Sequence, residues 1–226
     1  MSGELFCLTG SYHSANFSFL KSVTPEPLPP AKKGGPRERI LTAGRRLFFS
    51  QGFEKVSTDL LAREASVSKT SIYKYFDDMP GVLRAVVEAA GAEFEAGFSD
   101  QPTSPEMFHE MLERYGTQLL SFLNKPEIIQ FSKLMFEEAR AHPDIAKVFY
   151  DAAYGRTHRR LTDFMAHGKT NGWLVTPLTA AEAAEALINL WEGLPFVRAN
   201  LSLTDKPYPR PAARAKKCVR VFLSSE

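Results

Sequence analysis

Residues Ser57 to Phe76 read STDLLAREASVSKTSIYKYF, with apolar positions at Leu60, Leu61, Ala62, Ala65, Val67, Ile72 and Phe76. Leu61 and Ala65 sit one helical turn apart, as do Ile72 and Phe76, so each pair shares a helical face. Ala65-Ser66-Val67 is too short for anything but a tight turn. Ser68 suits an N-cap, because its hydroxyl can take a free backbone N–H. The spacing therefore predicts helix, short turn, helix, the second over about Ser68 to Tyr75. That second helix buries only Ile72 and Phe76 and carries Lys69, Thr70, Ser71, Tyr73 and Lys74. Such a helix fits the major groove, where Lys, Ser and Thr reach base edges and phosphates. It reads as the recognition helix of a helix-turn-helix. On spacing alone, a plain helical hairpin with a solvated face fits equally well.

A resemblance separates the two readings. Residues about 37–83 resemble the DNA-binding domain of the TetR/AcrR family of bacterial transcriptional regulators. The matching residues are Ile40, Ala43, Leu47, Phe48, Gly52, Phe53, Thr58, Ala62, Ala65, Val67, Ser68, Ile72, Tyr73 and Phe76. The resemblance implies an all-α fold of about nine helices. An N-terminal three-helix domain would hold the helix-turn-helix, and a C-terminal helical domain would serve ligand binding and dimerisation. It implies a DNA-contacting set of Thr58, Ser68, Lys69, Thr70, Ser71, Tyr73 and Lys74. Lys69, Thr70 and Ser71 are expected to read bases, and Thr58, Tyr73 and Lys74 to hold phosphates. The chain departs from the family at Met79, where many members carry a phosphate-contacting lysine. Asp77 and Asp78 beside it would repel the DNA backbone, so Lys74 or Lys55 is expected to compensate.

The chain has 226 residues, enough for one large or two small domains with a substantial core. A hydrophobic content of 44% suits a globular fold rather than a disordered one. No apolar run approaches the ~18 residues needed to span a bilayer, and no basic start followed by an apolar core marks a secretory signal. Cys7 and Cys218 give neither a disulfide framework nor a metal spacing, so a reducing cytoplasm is expected. Cys218 reads as a small apolar helix residue rather than a redox sensor. Net charge is only +2, but Ala31 to Phe76 holds ten Lys or Arg against four acids. A basic end on a mildly acidic body suits a DNA-binding module joined to a neutral partner domain.

Three divisions follow: a flexible N-terminal extension over 1–36, the DNA-binding domain over 37–83, and a ligand-sensing and dimerisation domain over 84–226. The extension gathers five prolines and two glycines between Thr24 and Pro36, a polyproline-like lead-in. Family members usually begin near the first helix, so part of this lead-in is expected to reflect the choice of start codon. Helices are expected over about Arg37–Gln51, from Val56 to Arg63, and from Asp78 to Phe98. Thr103 with Glu106, and Thr179 with Glu182, read as capping boxes. Further helices are expected to about Leu123, over Glu127–Arg140, over Asp144–His167, to about Asn200 and over Ala212–Leu223. Gly168 to Pro177 reads as a loop. Pro195 should kink the helix around it.

No catalytic or metal set appears: no Gly-rich phosphate loop, HExxH or GxSxG, and the five histidines are scattered without ligand spacing. The chain is therefore read as a non-enzyme with no cofactor. Seventeen Phe, seven Tyr and six Met are many for a helical core of this size. Flat rings and flexible thioethers leave adaptable gaps where apolar ligands bind. Phe108, Tyr115, Phe131, Met135, Phe149 and Trp191 are the candidate lining, with core packing as the plain alternative. The expected partners are a double-stranded DNA operator, a small effector and a second copy of the chain, with no membrane. The expected action is repression released by a small, largely apolar effector. Activation or ligand-independent regulation would use the same residues; a helical protein-interaction module with a vestigial helix-turn-helix, suggested by Met79 in place of lysine, is the other alternative.

Overall fold

The computed structural model describes residues 34–95 and 101–224. The proline-rich lead-in before residue 34, and the expected end of the fourth helix at Phe98, lie outside them. Among the described residues there are ten α-helices and no strand. They are α1 (Pro36–Gln51), α2 (Thr58–Ala65), α3 (Lys69–Phe76), α4 (Met79–Glu95) and α5 (Pro105–Leu123). The rest are α6 (Pro126–Glu138), α7 (Pro143–Ala152), α8 (Tyr154–Thr170), α9 (Ala180–Asn200) and α10 (Pro211–Leu223).

Local chemistry sets the first boundaries. Gly52 ends α1 at φ 85°, donating its N–H to the Phe48 carbonyl. Ser57 caps α2 by accepting from Leu60 N at 3.2 Å, and Ser68 caps α3 by accepting from Ser71 N at 3.1 Å. Between them Ser66 takes a left-handed conformation, φ 53° and ψ 49°, which turns the chain within three residues. Asp78 starts α4 by accepting from Gly81 N at 2.6 Å.

Two apolar cores hold the helices together. The first joins Ile40, Phe48, Leu61 and Ile72 of α1–α3 to Val82 and Leu83 of α4, and extends to Phe131 and Met135 of α6 and Ile145 of α7. The second joins Phe108, Leu112 and Tyr115 of α5 to Leu161 and Met165 of α8, Leu187 and Trp191 of α9 and Ala215 of α10. Each fully buried large apolar side chain contributes ~1.5–3 kcal/mol, so both cores are substantial.

Four boundaries differ from the sequence reading. The single helix expected over Asp144–His167 is two, α7 and α8, broken at Ala153 with φ −103° and ψ −83°. This makes ten helices instead of nine, and turns Tyr154 so that Phe149 meets it edge-on at 5.8 Å. The cap of α5 is Ser104, accepting from Met107 N at 3.2 Å, not Thr103. Gly168 lies inside α8 rather than in a loop, with the Phe108 ring close against it. The break in α9 falls at Gly193, φ 50° and ψ −158°, two residues before Pro195. Pro195 has no N–H for the Trp191 carbonyl; Arg214 of α10 donates to it instead, and to the Leu190 carbonyl at 2.9 Å. The Thr179–Glu182 capping box forms as read.

The two buried glycines of α8 make a test of this packing. A Cβ at Gly168 would lie 2.6 Å from the Phe108 ring, whereas one at Gly155 first meets the movable Arg159 guanidinium at 3.2 Å. Gly168→Ala is expected to destabilise by about 1–3 kcal/mol through overpacking, and Gly155→Ala by less than about 0.5 kcal/mol. Thermal melts of both variants check the contrast.

Candidate nucleic-acid interface and internal cavity

The outward face of α3 is built by what its inner face buries. Ile72 and Phe76 are sealed in the first core, so Lys69, Thr70, Tyr73 and Lys74 are exposed, Tyr73 by 48%. Ser68 and Ser71 differ: their hydroxyls lie 2.9 Å apart within the cap, and Ser71 is half-buried. Thr58 of α2 brings its hydroxyl within 3.4 Å of the Tyr73 hydroxyl. These two donors thus form one small polar notch between the helices. Lys69 is 2.6 Å from Asp59, whose carboxylate holds the ammonium above its usual range through a hydrogen bond and direct charge attraction. Met79 is partly buried against the first core.

Behind the reading head lies a cavity of about 310 Å³. Its walls come from Phe49 of α1, Val87 and Ala90 of α4, Leu119 and Phe122 of α5, Phe131 and Ser132 of α6, and Phe149 of α7. Tyr154, Arg156 and His158 of α8 and the stripe Glu185, Ile188, Asn189 and Glu192 of α9 complete it. Of the six residues proposed from sequence, Phe131 and Phe149 line this cavity. Phe108, Tyr115 and Trp191 are placed in the second core and Met135 in the first. Phe108 stacks on Phe164 at 4.8 Å and against Gly168; Trp191 packs on Gly116 and meets Tyr115 at 6.0 Å. Small residues opposite the rings let them pack flat and leave no gap. The polar lining escaped sequence reading, although Glu185, Ile188, Asn189 and Glu192 follow an i, i+3, i+4, i+7 stripe, offset from the core stripe of Ala184, Leu187 and Trp191.

The cavity touches the reading head directly. Phe49 of α1 stacks on Phe131 of α6, with ring centres 4.2 Å apart. Beyond Phe131, α6 ends at Glu138, whose carboxylate accepts from the backbone N–H groups of Phe53 at 3.1 Å and Glu54 at 3.4 Å. Those groups lie in the loop between α1 and α2. Glu93 of α4 joins Arg45 of α1 to Lys125 beside α6, the latter at 2.7 Å.

A compact helix-turn-helix mounted on a helical body with an internal cavity is the architecture of a DNA-binding regulator. The family model for bacterial regulatory proteins of the TetR family matches residues 40–91. The model for the C-terminal domain of AefR-like transcriptional repressors matches residues 110–225. The chain belongs to the TetR family of transcriptional regulators. It is 25% identical over 164 residues to the HTH-type transcriptional regulator SrpR of Pseudomonas putida, covering 70% of this chain and 75% of that protein. It is 24% identical over 180 residues to the nucleoid occlusion factor SlmA of Haemophilus influenzae, covering 75% and 78%. The crystal structure of a TetR transcriptional regulator from Agrobacterium tumefaciens superposes with a TM-score of 0.69 at 26% identity, over 84% of this chain and 94% of that one. SrpR and the Agrobacterium tumefaciens protein are transcriptional regulators, not enzymes. No helix among the described residues is long and apolar enough to cross a membrane.

Glu192 carries a measurable consequence. Its carboxyl makes no hydrogen bond or ion pair among the described residues, and burial pushes it up to about 7 from an ordinary 4.5. The folded protein therefore holds this proton longer than the unfolded chain does. The resulting penalty is absent below the unfolded value of 4.5, grows as pH rises, and is complete above about 7. Glu192→Gln should remove a penalty of about 1–3 kcal/mol. The variant is expected to melt higher than the parent at about pH 8 by roughly 2–10 °C, with the gap closing toward about pH 4.5. Paired melts across that range check it.

Proposed function

We propose that the protein is a ligand-responsive repressor that binds operator DNA as a homodimer in the cytoplasm and is released by a small, largely apolar effector. The reading is carried by one observation: Phe49 of the reading head is itself a wall of the cavity, stacked on Phe131. A molecule entering the cavity meets the head without an intermediary. The proposed reading head spans residues 37–83, and the remainder, 84–226, senses and dimerises. Lys69, Thr70 and Ser71 address bases; Thr58, Tyr73 and Lys74 address phosphates; Ser68 holds the start of α3. The Asp59 contact steers Lys69 before DNA arrives.

The dimer reading is supported by exposed apolar residues along α9. Leu190 before the break at Gly193, Leu194 and Val197 after it and Leu201 just past the helix are exposed, with Val221 of α10 also exposed. Two heads related by a two-fold axis would read half-sites ~34–36 Å apart or at multiples of that distance. Repression is favoured over the other readings by the match to a C-terminal domain described for repressors.

A mobility shift on the gene's own upstream duplex, at stated salt, tests the central claim, with sedimentation of the same sample reporting the dimer. Tyr73→Phe and Lys74→Ala are expected to weaken binding about 3–10-fold on all duplexes alike, with Lys74→Ala lowering the salt slope by about one. Lys69→Ala should instead relax base preference at one position. No shift by the parent protein on any upstream fragment would leave the vestigial-module reading in its place.

A second test addresses the link between cavity and head. Removing the Glu138 carboxylate frees two backbone donors of the α1–α2 loop. Glu138→Ala is expected to keep DNA affinity within about threefold while lowering effector-driven release by about tenfold, a loss of ~1.4 kcal/mol of coupling. Release unchanged from the parent would exclude α6 as the route.

A further inference from the structure

We infer that the cavity takes an organic cation carried on an apolar, aromatic-sized body, with the Glu192 carboxylate as its counter-charge. The inference rests on the reading of this cavity as the effector site and names the chemistry of what enters it.

The argument starts from a charge without a partner. Glu185, Ile188, Asn189 and Glu192 form one face of α9 and all line the cavity, so the Glu192 side chain belongs to the cavity wall. Among the described residues it has no ion pair or hydrogen bond. None of the nearby cations pairs with it. Arg214 donates to the backbone carbonyls of Leu190 and Trp191. Arg156 donates to the Glu88 carbonyl at 3.5 Å, and His158 Nε2 lies 3.0 Å from the Ala181 carbonyl. A half-buried carboxylate left this way is costly unless something neutralises it. The other neighbours do not supply charge: Tyr154 is hydroxyl-bearing and neutral, held so by burial and then by the Glu192 charge. Glu185, exposed at the same face, adds a second negative charge.

The rest of the wall suits the remainder of such a ligand. Phe49, Phe131, Phe149 and Tyr154 present ring faces and edges, which attract a cation and pack an apolar body. A carboxylate or phosphate ligand would meet the like charge of Glu192, with Glu185 beside it. A neutral ligand would leave the carboxylate unpaired.

Three probes sharing one body separate these cases: pyrenylmethylammonium, pyrenylmethanol and pyrenecarboxylate, titrated by fluorescence into the full-length protein at about pH 8. The ammonium is expected to bind about tenfold or more tighter than the alcohol, the scale of one charge-assisted contact, and the carboxylate weakest. Glu192→Gln should bring the ammonium to within about threefold of the alcohol and leave the alcohol unchanged. Ile188→Trp, which fills the cavity, should abolish all three. Equal affinity for ammonium and alcohol, or an ammonium affinity indifferent to Glu192→Gln, overturns the charge assignment while leaving the effector site standing. Absence of binding by every probe, or binding indifferent to Ile188→Trp, overturns the effector-site reading and this inference with it.

Discussion

The contact between Phe49 and Phe131 is where the two halves of the molecule become one object. Phe49 is the last turn of the first helix, and Phe131 is the middle of the helix that floors the cavity. Their rings stack at 4.2 Å, and both are buried. Offset-stacked rings contribute ~0.5–1.5 kcal/mol beyond their area burial, and here that energy is made across the boundary between head and body. Phe131 also meets Phe149 edge-on at 5.4 Å, and Phe149 meets Tyr154 in the same way. A continuous set of rings therefore runs from α1 through α6 and α7 to α8. Packed rings have discrete arrangements rather than a continuum, so a ligand wedged among them has a physical means to displace the head.

The broken helix α9 shows how sequence defects are accommodated. Pro195 takes a donor away from the Trp191 carbonyl, and Gly193 leaves helical geometry altogether. Arg214 reaches across from α10 to satisfy the carbonyls this frees, as buried backbone groups require. A Cβ at Gly193 would lie 2.8 Å from that guanidinium, and the φ of 50° favours glycine there. Tyr208 adds a hydrogen bond from its hydroxyl to the Glu192 carbonyl at 3.1 Å. The backbone around Glu192 is thus firmly held while its carboxyl is not. A charge fixed at a cavity wall, poorly solvated and unpaired, lowers stability in the empty protein, and groups of this kind gather at functional sites.

Much of the reading head was legible from residue order. Its helices are short, and their boundaries are set by nearest neighbours: Ser57 and Ser68 as caps, Gly52 at the end of α1, Asp78 at the start of α4. Its inward residues repeat at one helical turn. The cavity was far less legible. Phe108, Tyr115 and Phe131 lie inward while Phe136 is exposed, and a helical period gives only a face, not what stands opposite. Gly116 opposite Trp191, and Gly168 opposite Phe108, turned expected gaps into close packing. The break at Ala153 was invisible, since no proline or glycine occupies that position.

Local spacing therefore determined a helix, a tight turn and a second helix whose outward face is Lys69, Thr70, Tyr73 and Lys74, and the resemblance to the TetR/AcrR family chose a helix-turn-helix over a plain hairpin. Capping and periodicity are properties of a few consecutive residues, and no distant contact was needed to read them. Only the tertiary structure decided where space remains inside, which of the many rings border it, and that Glu192 faces it without a partner. Those are properties of five or more helices meeting at once, and whether a carboxylate is paired depends on side chains distant along the chain.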